Sequence, residues 1–289
     1  QPPGEFLVLD HLLHELRLIK SKHEIELMQR AAEISAEGHR QAMAVCAPGV
    51  HEFTLEAELN YAFTRGGSRA PAYNSIVAAG ENACILHYDR NDAEVKDGDL
   101  ILIDAGCEYK YYASDITRTF PANGTFNPQQ RAIYELVLKA QDSAIDAVQP
   151  GAPWDAPHNA SVRVITQGLI KLGLIEGTLA KAIKAEAYRD FYMHRVGHWI
   201  GIDVHDVGDY KIDEKWRLLE PGMVTTIEPG IYIAPDNKHV PKKWRGIGVR
   251  IEDDVLVTKN GNRVLTTGIP KTVAEIETFM AQAKQKRAA

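Results

Sequence analysis

Leu100-Ile101-Leu102-Ile103-Asp104-Ala105-Gly106 carries an apolar run onto an acid and then, two places on, a glycine, and Thr226-Ile227-Glu228-Pro229-Gly230 repeats the device later in the chain. Each is followed by a second β-type run with its own acid: Asp115 ahead of Ile116-Thr-Arg-Thr-Phe120, and Glu252 within residues 247–258. Short runs rich in Ile, Val and Thr, bounded by Gly, Asn and Asp, read as strands. A strand pair that occurs twice is weak evidence of repetition by itself; its register gives it weight. If Asp104 and Asp115 oppose each other across an antiparallel pair, the turn centres on Tyr109-Lys110, in a polar stretch. The same test on Glu228 and Glu252 centres on Val240, midway along the Pro- and Lys-rich connection 234–246.

Outside these runs the period is helical. Ser21 with Glu24 has capping-box spacing, and Ile25, Met28, Ala32 and Ile34 recur at about helical intervals in a helix over residues 21–47, which Pro48-Gly49 ends. Further helices are expected at 54–64, 127–148, 154–172 and 273–284, and a strand at 75–79. With no linker-like run inside the chain, this predicts one α+β domain over residues 15–289 behind a lead-in at residues 1–14.

Composition narrows the class. The 289 residues carry 33 Lys and Arg against 39 Asp and Glu, a net charge of −6, with 45% apolar residues. These values exclude a collagen, a disordered tail and a disulfide scaffold. Scattered cations on a mildly acidic chain argue against a nucleic-acid partner, and no apolar run is long enough to span a membrane. Cys46, Cys84 and Cys107 are odd in number and widely spaced, which points to a reducing, cytoplasmic setting.

The chemistry sits on the acids. Ile103, Ile116, Ile227 and Ile251 flank them, so the strands read as buried. Four buried carboxylates raise one another's pKa and cost several kcal/mol unless cations neutralise them; two divalent ions balance four negative charges. His194-Arg-Val-Gly-His198-Trp-Ile-Gly-Ile-Asp-Val-His205 adds three imidazoles in a Gly-rich, β-like stretch. His194 and His198 have the spacing of helical zinc proteases, but Arg195 stands where that motif needs glutamate, and Gly197 and Gly201 disfavour a helix. An oxygen-rich set with one imidazole suits Mn²⁺, with Mg²⁺ or Co²⁺ as substitutes, better than structural zinc. Two such ions can hold a bridging hydroxide, and hydrolysis is the implied chemistry.

Together with Asp115-Ile-Thr-Arg-Thr-Phe120 and Gly248-Val-Arg-Ile-Glu-Asp253, these segments resemble the aminopeptidase P (Xaa-Pro aminopeptidase) family of proline peptidases, over about residues 15–284. The resemblance implies the pita-bread fold, whose halves are related by a pseudo-two-fold axis. It implies a dinuclear centre of Mn²⁺, with Co²⁺, Mg²⁺ or Zn²⁺ as alternatives: Asp104 chelating one ion, Asp115 and Glu252 bridging both, and His198 with Glu228 completing the second. Glu228 is then also the proton shuttle, His205 steadies the oxyanion, and His87 and His194 line the pocket beside the substrate's proline. Arg250 holds a ligating carboxylate, and Tyr232 borders the substrate groove. The implied substrates are peptides with proline at position two. An N-terminal domain ahead of the lead-in, supporting a homo-oligomer, is part of the same pattern. The alternatives are prolidase, which cleaves Xaa-Pro dipeptides, and a metal-free pita-bread module that binds proteins. Hydrolysis of organophosphorus esters is a further side activity compatible with the same centre.

Overall fold

The computed structural model describes residues 9–288. Three helices come first: α1 (Asp10–Leu18), α2 (Lys22–Val45) and α3 (Glu52–Arg65). Six strands follow, β1 (Ala70–Pro71), β2 (Ile76–Ala79), β3 (Leu100–Asp104), β4 (Cys107–Tyr109), β5 (Tyr112–Ala113) and β6 (Thr117–Pro121). Helices α4 (Pro128–Asp146), α5 (Ala156–Lys171) and the short α6 (Leu179–Lys184) lead to the small hairpin β7 (Lys211–Ile212) and β8 (Lys215–Trp216). The chain closes with β9 (Val224–Ile227), β10 (Gly230–Ile233), β11 (Ile247–Arg250), β12 (Asp253–Thr258), β13 (Gly261–Val264) and α7 (Val273–Ala288).

Local signals set the helix ends. Ser21 and Glu24 close the expected capping box on α2, and Asn127 with Gln130 forms a second one on α4, with Pro128 in the first turn. The α1 helix was not expected: it crosses from the lead-in into the domain at residue 15, while residues 1–8 of the lead-in lie outside the described residues. Its Leu18 is wholly buried against Trp199 and Met223, yet Leu12, Leu13 and Leu16 are exposed.

Each half is one long hairpin bent at its acids. In the second half Ile227 pairs with Asp253 and Gly230 with Arg250, one continuous register centred on Val240, as expected. The strands break at Glu228-Pro229 and at Ile251-Glu252, so Glu228 and Glu252 face each other at the bend. The first half departs from expectation by two residues. Asp104 pairs with Thr117, not Asp115, because the turn falls on Lys110-Tyr111, both with positive φ (50° and 73°). That is the two-residue turn whose twist suits a hairpin. A slip of two keeps every side chain on its face, so Asp115, set back beside Gly106, still points the same way as Asp104. The flanking isoleucines Ile103, Ile116, Ile227 and Ile251 are no more than 1% exposed, as the sequence required. The helix pair α2–α3 backs the first hairpin, and α4–α5 backs the second. Between them runs one shared core that includes Ile101, Phe120, Tyr134, Ile231 and Val249.

The two repeated glycines have steric reasons. A Cβ on Gly106 would overlap the carbonyl oxygen of Ser114, and one on Gly230 would overlap the Tyr232 hydroxyl. Backbone cannot yield there, so Gly106→Ala is expected to destabilise the chain by about 2 kcal/mol or more, read from the urea unfolding midpoint.

Beneath the first bend, the fully buried His39 of α2 donates from Nε2 to the Ala105 carbonyl at 2.9 Å. Burial lowers its pKa to about 4, and buried His158 is lowered to about 4 for the same reason. Folding thus favours the neutral ring. The stabilisation is complete above the unfolded value, near about 6.5, and is lost as pH falls toward the folded one. Between about pH 7.5 and about pH 5.5, His39→Gln should lose about 1 kcal/mol less stability in urea unfolding than the parent chain.

Candidate active site

The acids converge because the bends converge. Asp104 ends β3, Asp115 lies between β5 and β6, Glu228 lies between β9 and β10, and Glu252 lies between β11 and β12. His198 arrives on the 194–206 stretch. Its first part is β-like, as expected, running antiparallel beside β9 through the Trp199–Thr225 bridge and through backbone hydrogen bonds that join Val196 to Glu228, His198 to Thr226 and Ile200 to Val224. The bridge fixes His198 beside Glu228: its Nε2 is 3.6 Å from Glu228 Oε1 and 3.4 Å from Asp115 Oδ2. Asp115, His198 and Glu252 offer ligand atoms that all lie within 4.8 Å of one another, a grouping able to hold a metal ion.

Neighbours aim these groups. The His198 Nδ1 faces the Trp199 carbonyl at 2.9 Å; a carbonyl only accepts, so Nδ1 carries a proton and Nε2 is the nitrogen turned to the centre. Arg250 donates from Nη2 to Asp104 Oδ2 at 2.6 Å and from Nη1 to the Tyr232 hydroxyl at 2.9 Å. Thr117 donates from its hydroxyl to Glu252 Oε2 at 2.6 Å. Tyr73 donates to Asp104 Oδ1 at 2.7 Å and also bonds Asp115 Oδ1.

Charge does not balance within the protein. Four carboxylates face one guanidinium and one imidazole. Burial, followed by the charges of Asp115, Glu228 and Asp104, pushes Glu252 well above the usual carboxylate range. Burial raises Glu228 to about 7 and also raises Asp104. Burial works against charging His198, but Asp115 and Glu228 outweigh it and lift the ring to about 9. Protons here fill the role of missing positive charge, and divalent cations fit the same donor set. Oxygen donors and one oriented imidazole suit Mn²⁺-like ions.

A cavity of about 500 Å³ opens over the centre. Asp104, Asp115, Glu228, Glu252, His198, His194, His205, His87 and Arg250 all line it. Tyr232 does not, contrary to expectation: it is 2% exposed and lies under the floor, its hydroxyl 2.9 Å from His194 Nε2. Since His194 Nδ1 is engaged by the Arg195 carbonyl at 2.7 Å, both of its nitrogens are occupied and only the ring offers itself to a ligand. Burial lowers its pKa to about 3. His205 is exposed at the rim, edge-on to His198 with centroids 4.3 Å apart. Its neighbour Asp206 is anchored by Arg17 and, at 3.2 Å, by Lys20, so α1 holds this rim in place.

The sequence reading missed Tyr73, Thr117 and Asp206. Thr117 was detectable as a polar residue following Ile116 on a buried strand. Tyr73, in the loop Ala72-Tyr73-Asn74, carries no periodic signal. Tyr73→Phe removes the hydroxyl shared by two carboxylates, and about 10- to 100-fold weaker Mn²⁺ binding is expected by calorimetry.

Comparison with known proteins agrees with this geometry. Residues 26–259 match metallopeptidase family M24. The Xaa-Pro aminopeptidase of Haemophilus influenzae is 54% identical over 277 residues, covering 96% of this chain and 64% of that protein. Human Xaa-Pro dipeptidase is 38% identical over 315 residues, with 96% and 64% covered. The structure of Pseudomonas aeruginosa aminopeptidase PepP superposes with a TM-score of 0.98 at 66% identity, covering 99% of this chain and 64% of that one. The chain thus spans slightly less than two thirds of the length of these relatives.

Proposed function

Because the chain belongs to metallopeptidase family M24, we propose that it hydrolyses the Xaa-Pro bond of peptides with proline in second position and releases the N-terminal residue. The supporting observation is the convergence of Asp104, Asp115, Glu228, Glu252 and His198 on one cavity, in a chain with higher identity to an Xaa-Pro aminopeptidase than to an Xaa-Pro dipeptidase. Asp104, Asp115, His198, Glu228 and Glu252 would together hold two Mn²⁺ ions. When bound, such ions supply the Lewis acidity that makes water nucleophilic at neutral pH and polarises the scissile carbonyl.

The remaining steps belong to the chain's own side chains. Glu228 accepts a proton from the attacking water and passes it to the proline nitrogen as the C–N bond breaks. His205 donates toward the carbonyl oxygen as negative charge develops there. The His194 ring, fixed at both nitrogens, forms with His87 a wall for the proline ring. A tertiary amide has no N–H to recognise, so shape takes the place of that contact. A cytoplasmic location is part of this reading, with Cys46, Cys84 and Cys107 all free. An oligomer built through additional sequence, as the relatives' greater length allows, is part of it as well.

The test is release of alanine from Ala-Pro-Ala and from Ala-Pro, with and without Mn²⁺. Mn²⁺-dependent cleavage of the tripeptide is expected, with kcat falling about 10²- to 10⁴-fold in Glu228→Ala. Cleavage of the dipeptide alone would reassign the chain as a prolidase, and no cleavage of either would overturn the reading.

A further inference from the structure

Arg195, which breaks the zinc-protease pattern, has no part in the centre itself. Its carbonyl secures His194, while its exposed side chain leaves the cavity and lies over the Trp216 ring, 5.2 Å from the centroid. Lys211 approaches the same ring at 4.7 Å. Lys211 and Trp216 are directly paired across the β7–β8 hairpin, whose turn residues Asp213 and Glu214 both have positive φ. The platform is firmly built. Trp216 packs at 5.6 Å on Trp154, Trp154 packs at 4.3 Å on Tyr210, and the Tyr210 hydroxyl accepts from the Trp199 amide at 3.0 Å. Trp199 follows His198 directly, so the platform and the metal-ligating stretch share one backbone.

Beside this platform is a second groove of about 480 Å³, which meets the active-site cavity at Arg195 and Gly197. Asp209 lies at its edge with Lys211 and Tyr210. Among the described residues, neither Arg195 nor Lys211 has a carboxylate within ion-pair distance. Two cations lie along the exit from the His194 wall, where a peptide continuing beyond proline would run.

We propose that this groove is a subsite for the peptide segment downstream of proline, where Arg195 and Lys211 on the Trp216 platform select a carboxylate. The carboxylate is either the free C-terminus of a short substrate or an acidic side chain in a longer one. Trp216 gathers the two cations over one ring, so both can meet the same carboxylate in a charge-assisted hydrogen bond. The inference rests on the Xaa-Pro reading for the direction of the bound peptide.

The experiment measures binding and turnover separately on the Mn²⁺-loaded chain. Calorimetry with the product-like peptide Pro-Ala-Ala as free acid and as C-terminal amide is expected to show about fivefold tighter binding of the acid. Pro-Ala-Glu amide should regain that advantage over Pro-Ala-Gln amide if side-chain acids are also read; if it does not, the site reads the terminus alone. In the double variant Arg195→Gln, Lys211→Gln the acid-to-amide ratio should fall to near one. The kcat/KM ratio for Ala-Pro-Ala-Ala acid over its amide should collapse in parallel, through KM rather than kcat. Equal binding of acid and amide to the parent chain, or binding of neither, overturns the subsite even where hydrolysis is seen. A preserved acid preference without hydrolysis overturns the peptidase reading and leaves the subsite standing.

Discussion

Mutual repulsion among four carboxylates is the constraint around which the rest is arranged. Like charges facing each other on paired strands are destabilising, and here they are also withdrawn from water. The protein meets this locally with Arg250 and Tyr73 donating to Asp104, Thr117 donating to Glu252, and the oriented ring of His198 facing Asp115. The remaining deficit is what draws cations, so stability and catalytic potential come from the same imbalance. A chain that neutralised its own acids would be steadier and chemically idle.

The bent hairpin is how the fold makes such a site. Each strand pair runs regularly on both sides of its break, and the break releases one acid on the outgoing strand and one on the return. Two copies facing each other give four acids without any of them being on a flexible loop. The helix pairs behind the hairpins supply the apolar mass, and α2 reaches through to the bend itself: Ser35 accepts from the Cys107 amide at 2.9 Å, beside the contact of His39 with Ala105. Packing of the first half and placement of Asp104 are therefore one problem.

Legibility followed the locality of the signal. Capping residues and apolar strands are short-range features, and Ser21, Asn127 and the Leu100–Asp104 run placed their elements within a few residues of where they lie. The register of the second hairpin was readable because its acids lie symmetrically about the connection. The first was read two residues out because Lys110 and Tyr111 adopt left-handed conformations that their side chains do not advertise. The helix α1 was hidden for another reason, since its leucines remain largely exposed and gave no hint of a buried face. All five ligand candidates were visible as acids or imidazoles in apolar or Gly-rich settings. Tyr73 was not, because its role depends on two carboxylates that meet only in three dimensions, and Tyr232 was misplaced because a strand residue's depth cannot be read from alternation when both faces are covered.

The hydrogen-bonded line from Asp104 through Arg250 and the Tyr232 hydroxyl to His194 joins the carboxylate centre to the wall proposed to face the substrate. It makes two apparently separate properties a single heritable unit. Remodelling the wall to admit a different ring would loosen the guanidinium that steadies a ligand, so drift in substrate preference through His194 carries a cost in ion retention. The β7–β8 hairpin has no hydrogen bond to that line, meeting the centre's backbone through the packed rings of Trp154, Tyr210 and Trp199, and is free of that penalty. Divergence among chains of this design should accordingly concentrate in the outer hairpin while the inner wall stays fixed.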